Sequence, residues 1–339
     1  MSLVPEQDPL VPEEAAHPRR DDELTPHEVM QALDRMFPYI VPEPVEPEAV
    51  PRPTEPALFA GWSQPEPPPA PTRRPNIGDL GILGALALLG GLAAGLLTRS
   101  ALHFHLWGVT TVDRAMSDVH YTIGSMAVLY LVSFGAALLL FPLIWHEGLF
   151  AGLQWNAHAA IERFRVLFGA ACICFLLAMV DEVLLPGPAN APIDKLFDTR
   201  SAAWLLFAFG VTFAPFFEET IFRGFLLPAL CTAFDWSVEK AAGFKPAQLD
   251  LEGHPQWSPG AMIFSSIATS IPFALMHAEQ TGHSVGPFVL LVAVSLVLCW
   301  ARLTTRSLAA SVVVHASYNG LLFTLMLIGT GGFRHLDKM

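Results

Sequence analysis

An all-α, polytopic transmembrane bundle of about seven helices is the fold class that the sequence predicts. Three observations predict it. Of 339 residues, 53% are hydrophobic and only 15% charged, where a soluble domain carries about a quarter charged residues. The mean hydropathy is +0.45. From residue 76 onward, apolar runs recur that are long enough to cross a hydrocarbon core of about 30 Å.

Residues 1–75 are different in kind. They hold 18 of the 29 prolines and 14 Asp/Glu against 6 Lys/Arg, so most of the net charge of −12 sits there. Such a segment buries too little apolar surface to offset its ordering entropy, and it reads as a disordered, partly polyproline-II tail. One island interrupts it. Thr25-Pro26-His27-Glu28 is a capping box with proline at the first helical position, and it predicts a short helix over 26–37. Its functional reading is a docking motif for a protein partner; a transient helix without one is the alternative. No basic cluster suited to nucleic acid is present. No apolar segment follows a basic start, so a cleavable signal peptide is not expected and the first span directs insertion.

The spans follow in order. The first runs from Gly78 to Leu97, its glycines suiting close helix approach. A polar connection with His103 and His105 lacks a nearby third metal ligand. The second span, Thr122 to Trp145, ends on an interfacial tryptophan. Residues 146–163 read as an amphipathic surface segment. The third span covers Val166 to Val180, and a proline-containing loop leads to the fourth, Ala202 to Phe234. Pro215 cannot donate to the helical ladder, which predicts a local opening there. A polar insert from Ser237 to Pro259 precedes spans at Ala261–His277, Val285–Ala301 and Leu308–Ile328. Lys/Arg near span ends favour a cytoplasmic N-terminus, in a bacterial cytoplasmic membrane. The four cysteines lie in or beside apolar runs without ligand spacing, and read as small buried hydrophobes.

Chemistry concentrates in three of these spans. Ionisable side chains inside a membrane helix are costly, by roughly 2.5–3.5 kcal/mol on insertion scales, so their default reading is functional. Glu219 and Arg223, four apart with the acid first, form a same-face pair. Glu218 lies about 100° around the helix and needs another partner. His277 closes one span, and His315 and Asn319 share a face of another. Each alone reads as helix–helix hydrogen bonding. Together they read as one aqueous pocket.

Glu218-Glu219-x-x-x-Arg223, Phe273-x-x-x-His277 and His315-x-x-x-Asn319 resemble the three motifs of the CPBP intramembrane protease family, which includes type II CAAX prenyl endopeptidases and bacteriocin-processing or immunity proteins. The resemblance covers residues 160–330 and leaves residues 76–160 as two accessory spans. It implies hydrolysis of peptide bonds in membrane-associated peptides or proteins. Glu218 would be general base on a water, with His277 holding that water. His315 and Asn319 would stabilise the oxyanion, and Glu219–Arg223 would support Glu218. A metal version would use Glu218, His277 and His315 as ligands to a divalent ion such as zinc. Two other functions compete: a catalytically silent scaffold or immunity protein of the same fold, and a proton-coupled transporter.

Overall fold

The computed structural model describes residues 74–188, 191–243 and 256–336. The tail and its expected helix over 26–37 lie outside the described residues. Among those described there is no strand, and seven helices are long and apolar enough to cross a bilayer. They are α1 (Ile77–His103), α2 (Val119–Trp145), α3 (Phe164–Leu184), α4 (Arg200–Ala242), α5 (Pro259–Met276), α6 (Val285–Thr305) and α7 (Leu308–Gly329). The chain is therefore an integral, multi-pass membrane protein.

Five of the seven helices, all but α3 and α6, start where a polar side chain satisfies free amides. Asn76 caps α1 by accepting from the amides of Gly78 and Asp79, and Asp79 accepts in return from the Asn76 amide at 2.9 Å. The second oxygen of the buried Asp79 carboxylate takes the Trp145 indole N–H at 3.0 Å. The start of α1 is thereby fastened to the end of α2.

These two helices pack most closely at Gly90. A Cβ there would stand 2.3 Å from Ser133 Oγ and 2.6 Å from the Leu129 carbonyl oxygen. Nothing lies within 4 Å of the corresponding point on Gly84 or Gly95. Only one of these three glycines is demanded by the α1–α2 contact.

The other helices form the main core. α3 packs on α6 and α7, α4 on α5 and α7, and α5 on α6. A cluster of Leu167, Ala171, Cys174, Phe273, Leu298 and Val314 fills the centre. Cys174, Cys231 and Cys299 are buried free thiols, as their apolar settings suggest.

Two segments differ from the expected layout. α4 continues to Ala242, into the expected polar insert. At 1.5 Å per residue its 43 residues exceed the thickness of a hydrocarbon core, so the helix overruns the bilayer or tilts. Asp235 then closes the insert by accepting from the Ser258 hydroxyl at 2.6 Å and the Ser258 amide at 3.1 Å. The amphipathic segment after α2 forms short helices at Leu149–Gly152 and Ala157–Glu162. Its apolar side is tucked inward, with Leu149 and Leu153 buried in the same cluster as Phe225 and Leu308.

The close approach at Gly90 yields a stability prediction. Gly90→Ala should destabilise the protein by about 1–3 kcal/mol, since a methyl must displace backbone. Gly95→Ala should cost nothing measurable. Thermal unfolding of the two variants in detergent checks both.

Candidate active site

The site is built on an interrupted helix. α4 is α-helical over Arg200–Ala208, Ala214–Glu219 and Leu227–Ala242, and winds as a π-helix over Phe209–Phe213 and Thr220–Leu226. The opening expected at Pro215 is the first of these wide turns. A full account of the backbone hydrogen bonds explains both. The Ala214 amide bonds to the Phe209 carbonyl, five residues back, so the next five-residue bond would join Gly210 to residue 215. Pro215 has no N–H to give. Asn319 on α7 supplies the missing donor, with its Nδ2 2.8 Å from the Gly210 oxygen.

The second π-turn repeats this arrangement thirteen residues later. The Leu227 amide bonds to Phe222, and the next bond would join Arg223 to Pro228. Arg302 on α6 donates from Nε to the freed Arg223 carbonyl at 3.1 Å. Its Nη2 also reaches the Leu153 carbonyl at 3.3 Å and Gln154 Oε1 at 2.9 Å. π-turns of this kind recur at functional sites because they re-aim the side chains around them. Here they bracket Glu218 and Glu219.

The carboxylates face two environments. Glu219 is fully buried, and its Oε1 accepts from Arg223 Nη1 at 2.9 Å and from His315 Nδ1 at 2.9 Å. Arg223, also fully buried, donates through Nη2 to the Ser295 hydroxyl at 2.6 Å and the Ser295 carbonyl at 3.0 Å. Its guanidinium carbon lies 4.5 Å from the centre of the Phe273 ring. A desolvated contact of that type is worth about 2 kcal/mol.

Glu218 has no such pairing. Its Oε2 stands 3.7 Å from His277 Nε2 and 3.8 Å from His315 Nε2. These are contacts between charges or dipoles, too long for hydrogen bonds. The tautomer of His277 follows from its other nitrogen. Nδ1 lies 2.9 Å from the Phe273 carbonyl oxygen, which can only accept, so Nδ1 carries a proton and Nε2 is the nitrogen turned toward Glu218.

Of the six residues singled out from sequence, five thus meet in one cluster. The helix offsets permit it: His277 caps the C-terminus of α5, level with Glu218 on the overlong α4. Asn319, one turn beyond His315, spends one amide hydrogen on Gly210. Gly210 allows that approach, since a Cβ there would lie 2.9 Å from the Phe323 ring of α7.

Sequence reasoning missed three contributors. Ser295 accepts from Arg223 Nη2 through its hydroxyl and its carbonyl. Arg302 is buried and donates to the Arg223 carbonyl, and the proline five residues after Arg223 was the available signal. Tyr130 of α2 stacks on Phe217, the residue before Glu218, with ring centroids 4.8 Å apart.

Residues 200–321 match the family model described as Type II CAAX prenyl endopeptidase Rce1-like. This segment is similar to the type II CAAX prenyl endopeptidases that the model describes. No curated protein and no solved structure gives a match to the chain. The Rce1-like segment contains all six motif residues together with Ser295 and Arg302, while α1, α2 and α3 precede it. That similarity supports CAAX-type protease activity in general.

The donor chemistry of Glu218, His277 and His315 within this domain is of a kind divalent ions use. Their arrangement is not. Among the described residues, no group of three His, Cys, Asp or Glu is placed to hold a metal ion.

The buried pair and the unpaired carboxylate should respond differently to substitution. Arg223→Met leaves Glu219 charged and buried without its guanidinium, and should cost about 3–5 kcal/mol of stability. Glu218→Gln has no direct hydrogen bond to lose and should leave stability unchanged. Denaturant unfolding in detergent measures the contrast.

Proposed function

We propose that the protein is an intramembrane endopeptidase in which Glu218 activates a water against a peptide bond of a membrane-associated peptide or protein. One observation carries this reading: the convergence of Glu218 Oε2 with the two Nε2 atoms at 3.7 and 3.8 Å, beside a second carboxylate already neutralised by Arg223. Glu218 is the acid left over.

A water between Glu218 and His277 gives one hydrogen to the carboxylate and one to the Nε2 lone pair. Its oxygen then faces the substrate carbonyl. On attack, Glu218 takes a proton from the water and delivers it to the departing amine. This is general base and then general acid catalysis by one residue. The oxyanion forms on the side of α7, where the second amide hydrogen of Asn319 stabilises it. Nε2 of His315 does the same whenever it carries a proton, with Glu219 as its counter-charge. Arg223, Ser295 and Phe273 touch no substrate; they fix Glu219 and, through it, His315. The N-terminus lies on the cytoplasmic side, and the tail offers a place for a protein partner.

The test compares wild type and Glu218→Ala on a library of membrane peptides in detergent or bilayers. Glu218→Ala should lower kcat/KM by about 10²–10⁴ with the helical circular dichroism unchanged. Asn319→Ala should cost about 10²–10³. Wild-type cleavage should persist in chelator. Equal cleavage by wild type and Glu218→Ala would overturn the assignment. Chelator inhibition reversed by one divalent ion would move the water onto a metal held by Glu218, His277 and His315.

A further inference from the structure

The Glu219–Arg223 pair leaves two of its own atoms unused. Arg223 Nε and Glu219 Oε2 are buried without a hydrogen-bond partner among the described residues. The same holds for two hydroxyls of α5, Ser265 Oγ and Thr269 Oγ1, on residues with no exposed surface. A buried polar group gives up its hydration, and in folded proteins such groups find partners.

These two hydroxyls differ from their neighbours. Serine and threonine inside a span commonly bond back to the carbonyl four residues earlier. Ser266 and Ser270 on α5 do so at 2.7 and 2.8 Å, as do Thr212 and Thr220 on α4 at 2.6 and 2.8 Å. Ser265 and Thr269 do not. The Ala261 carbonyl, four residues before Ser265, accepts instead from the Cys231 thiol at 3.7 Å.

Contacts on either side place the two hydroxyls. Helices α4 and α5 run antiparallel and meet in order at Asp235–Ser258, Cys231–Ala261, Arg223–Phe273 and Glu218–His277. Ala261, Ser265, Thr269 and Phe273 recur every four residues and all are buried, so they share the face of α5 turned into the protein. Ser265 and Thr269 therefore occupy the stretch between the Cys231 contact and the Arg223 contact. Helix α6 closes this stretch from a third side. Ser295 holds Arg223 Nη2, and Cys299, one turn on, packs with Leu227, Cys231 and Ala261.

We infer that this seam between α4, α5 and α6 binds water, in an internal site where Arg223 Nε and the Thr269 and Ser265 hydroxyls supply the hydrogen bonds. The chemistry selects water. A buried water typically makes about three hydrogen bonds and both donates and accepts, which suits one cationic N–H and two hydroxyls. Glu219 beside the guanidinium disfavours an anion, and Arg223 itself disfavours a metal ion. The site is separate from the water that Glu218 activates, since Thr269 precedes His277 by eight residues, about 12 Å along α5. The bound water solvates the guanidinium where the bilayer cannot, which keeps the pair charged. Its presence does not depend on the protein being a protease.

Two measurements on the full chain in detergent test the site. The first follows thermal unfolding of wild type, Thr269→Val, Ser265→Ala and the control Ser266→Ala. Thr269→Val keeps the shape of the side chain and removes the hydroxyl. With water bound, it leaves that water short of a partner and should lower Tm by about 2–4 °C. Ser265→Ala should do the same and Ser266→Ala should not. A hydroxyl buried with no partner at all predicts the opposite sign, so a Tm unchanged or raised in Thr269→Val would overturn the inference.

The second measurement generates hydroxyl radicals from water with X-ray pulses and reads oxidation of buried thiols by mass spectrometry. Cys299 and Cys174 are both fully buried, but Cys174 lies in the apolar central cluster and Cys299 along the seam. Cys299 should be oxidised several-fold faster than Cys174 in wild type, and the difference should shrink in Thr269→Val. Equal rates for the two thiols in wild type would overturn the inference without recourse to any variant.

Discussion

One carboxylate oxygen organises the centre of this bundle. Glu219 Oε1 accepts from a guanidinium on its own helix and an imidazole on α7, with no water-exposed surface on the residue. Burying that charge inside a membrane protein is tolerable only because both donors are present and one carries a full positive charge. The remaining parts respond to this constraint. Ser295 accepts from the arginine's Nη2 through its hydroxyl and carbonyl, the Phe273 ring packs beside the guanidinium carbon, and α6 and α7 are drawn against α4 at one level. Glu218 occupies the same level without an arginine, its Oε2 3.7 Å from His277 Nε2 and 3.8 Å from His315 Nε2.

The helix that carries both acids is irregular for a reason that can be stated bond by bond. Two prolines, each five residues after a freed carbonyl, convert two stretches of α4 into wide turns. A buried carbonyl without a donor is expensive, and the bundle answers each with a side chain from a different helix, Asn319 from α7 and Arg302 from α6. The same groups that repair the backbone therefore fix the depth and rotation of the carboxylates relative to α6 and α7. Asn319 thus serves the fold through one amide hydrogen.

Much of this could be read from the chain. Seven apolar runs announce seven spans, because a bilayer requires twenty or so apolar residues and little else. Glu218, Glu219, Arg223, His277 and His315 stood out because charge in such a run demands a partner. Other features were hidden by the same logic. Arg302 sits near the end of its span, where an arginine ordinarily snorkels to water, so its role at a buried carbonyl left no mark. Tyr130 is an unexceptional residue in an apolar helix until its neighbours are known. The true end of α4 was obscured because Glu239 and Lys240 read as loop, although nothing in their chemistry stops a helix.

The most direct test of this account is a double-mutant cycle on peptide cleavage, comparing Glu219→Gln, His315→Ala and the combined variant. If Glu219 acts by holding His315 beside Glu218, the two losses in kcat/KM overlap, and the double variant is no slower than the worse single one. Losses that multiply would mean that the two residues act independently, and the shared carboxylate would no longer be the centre of the site.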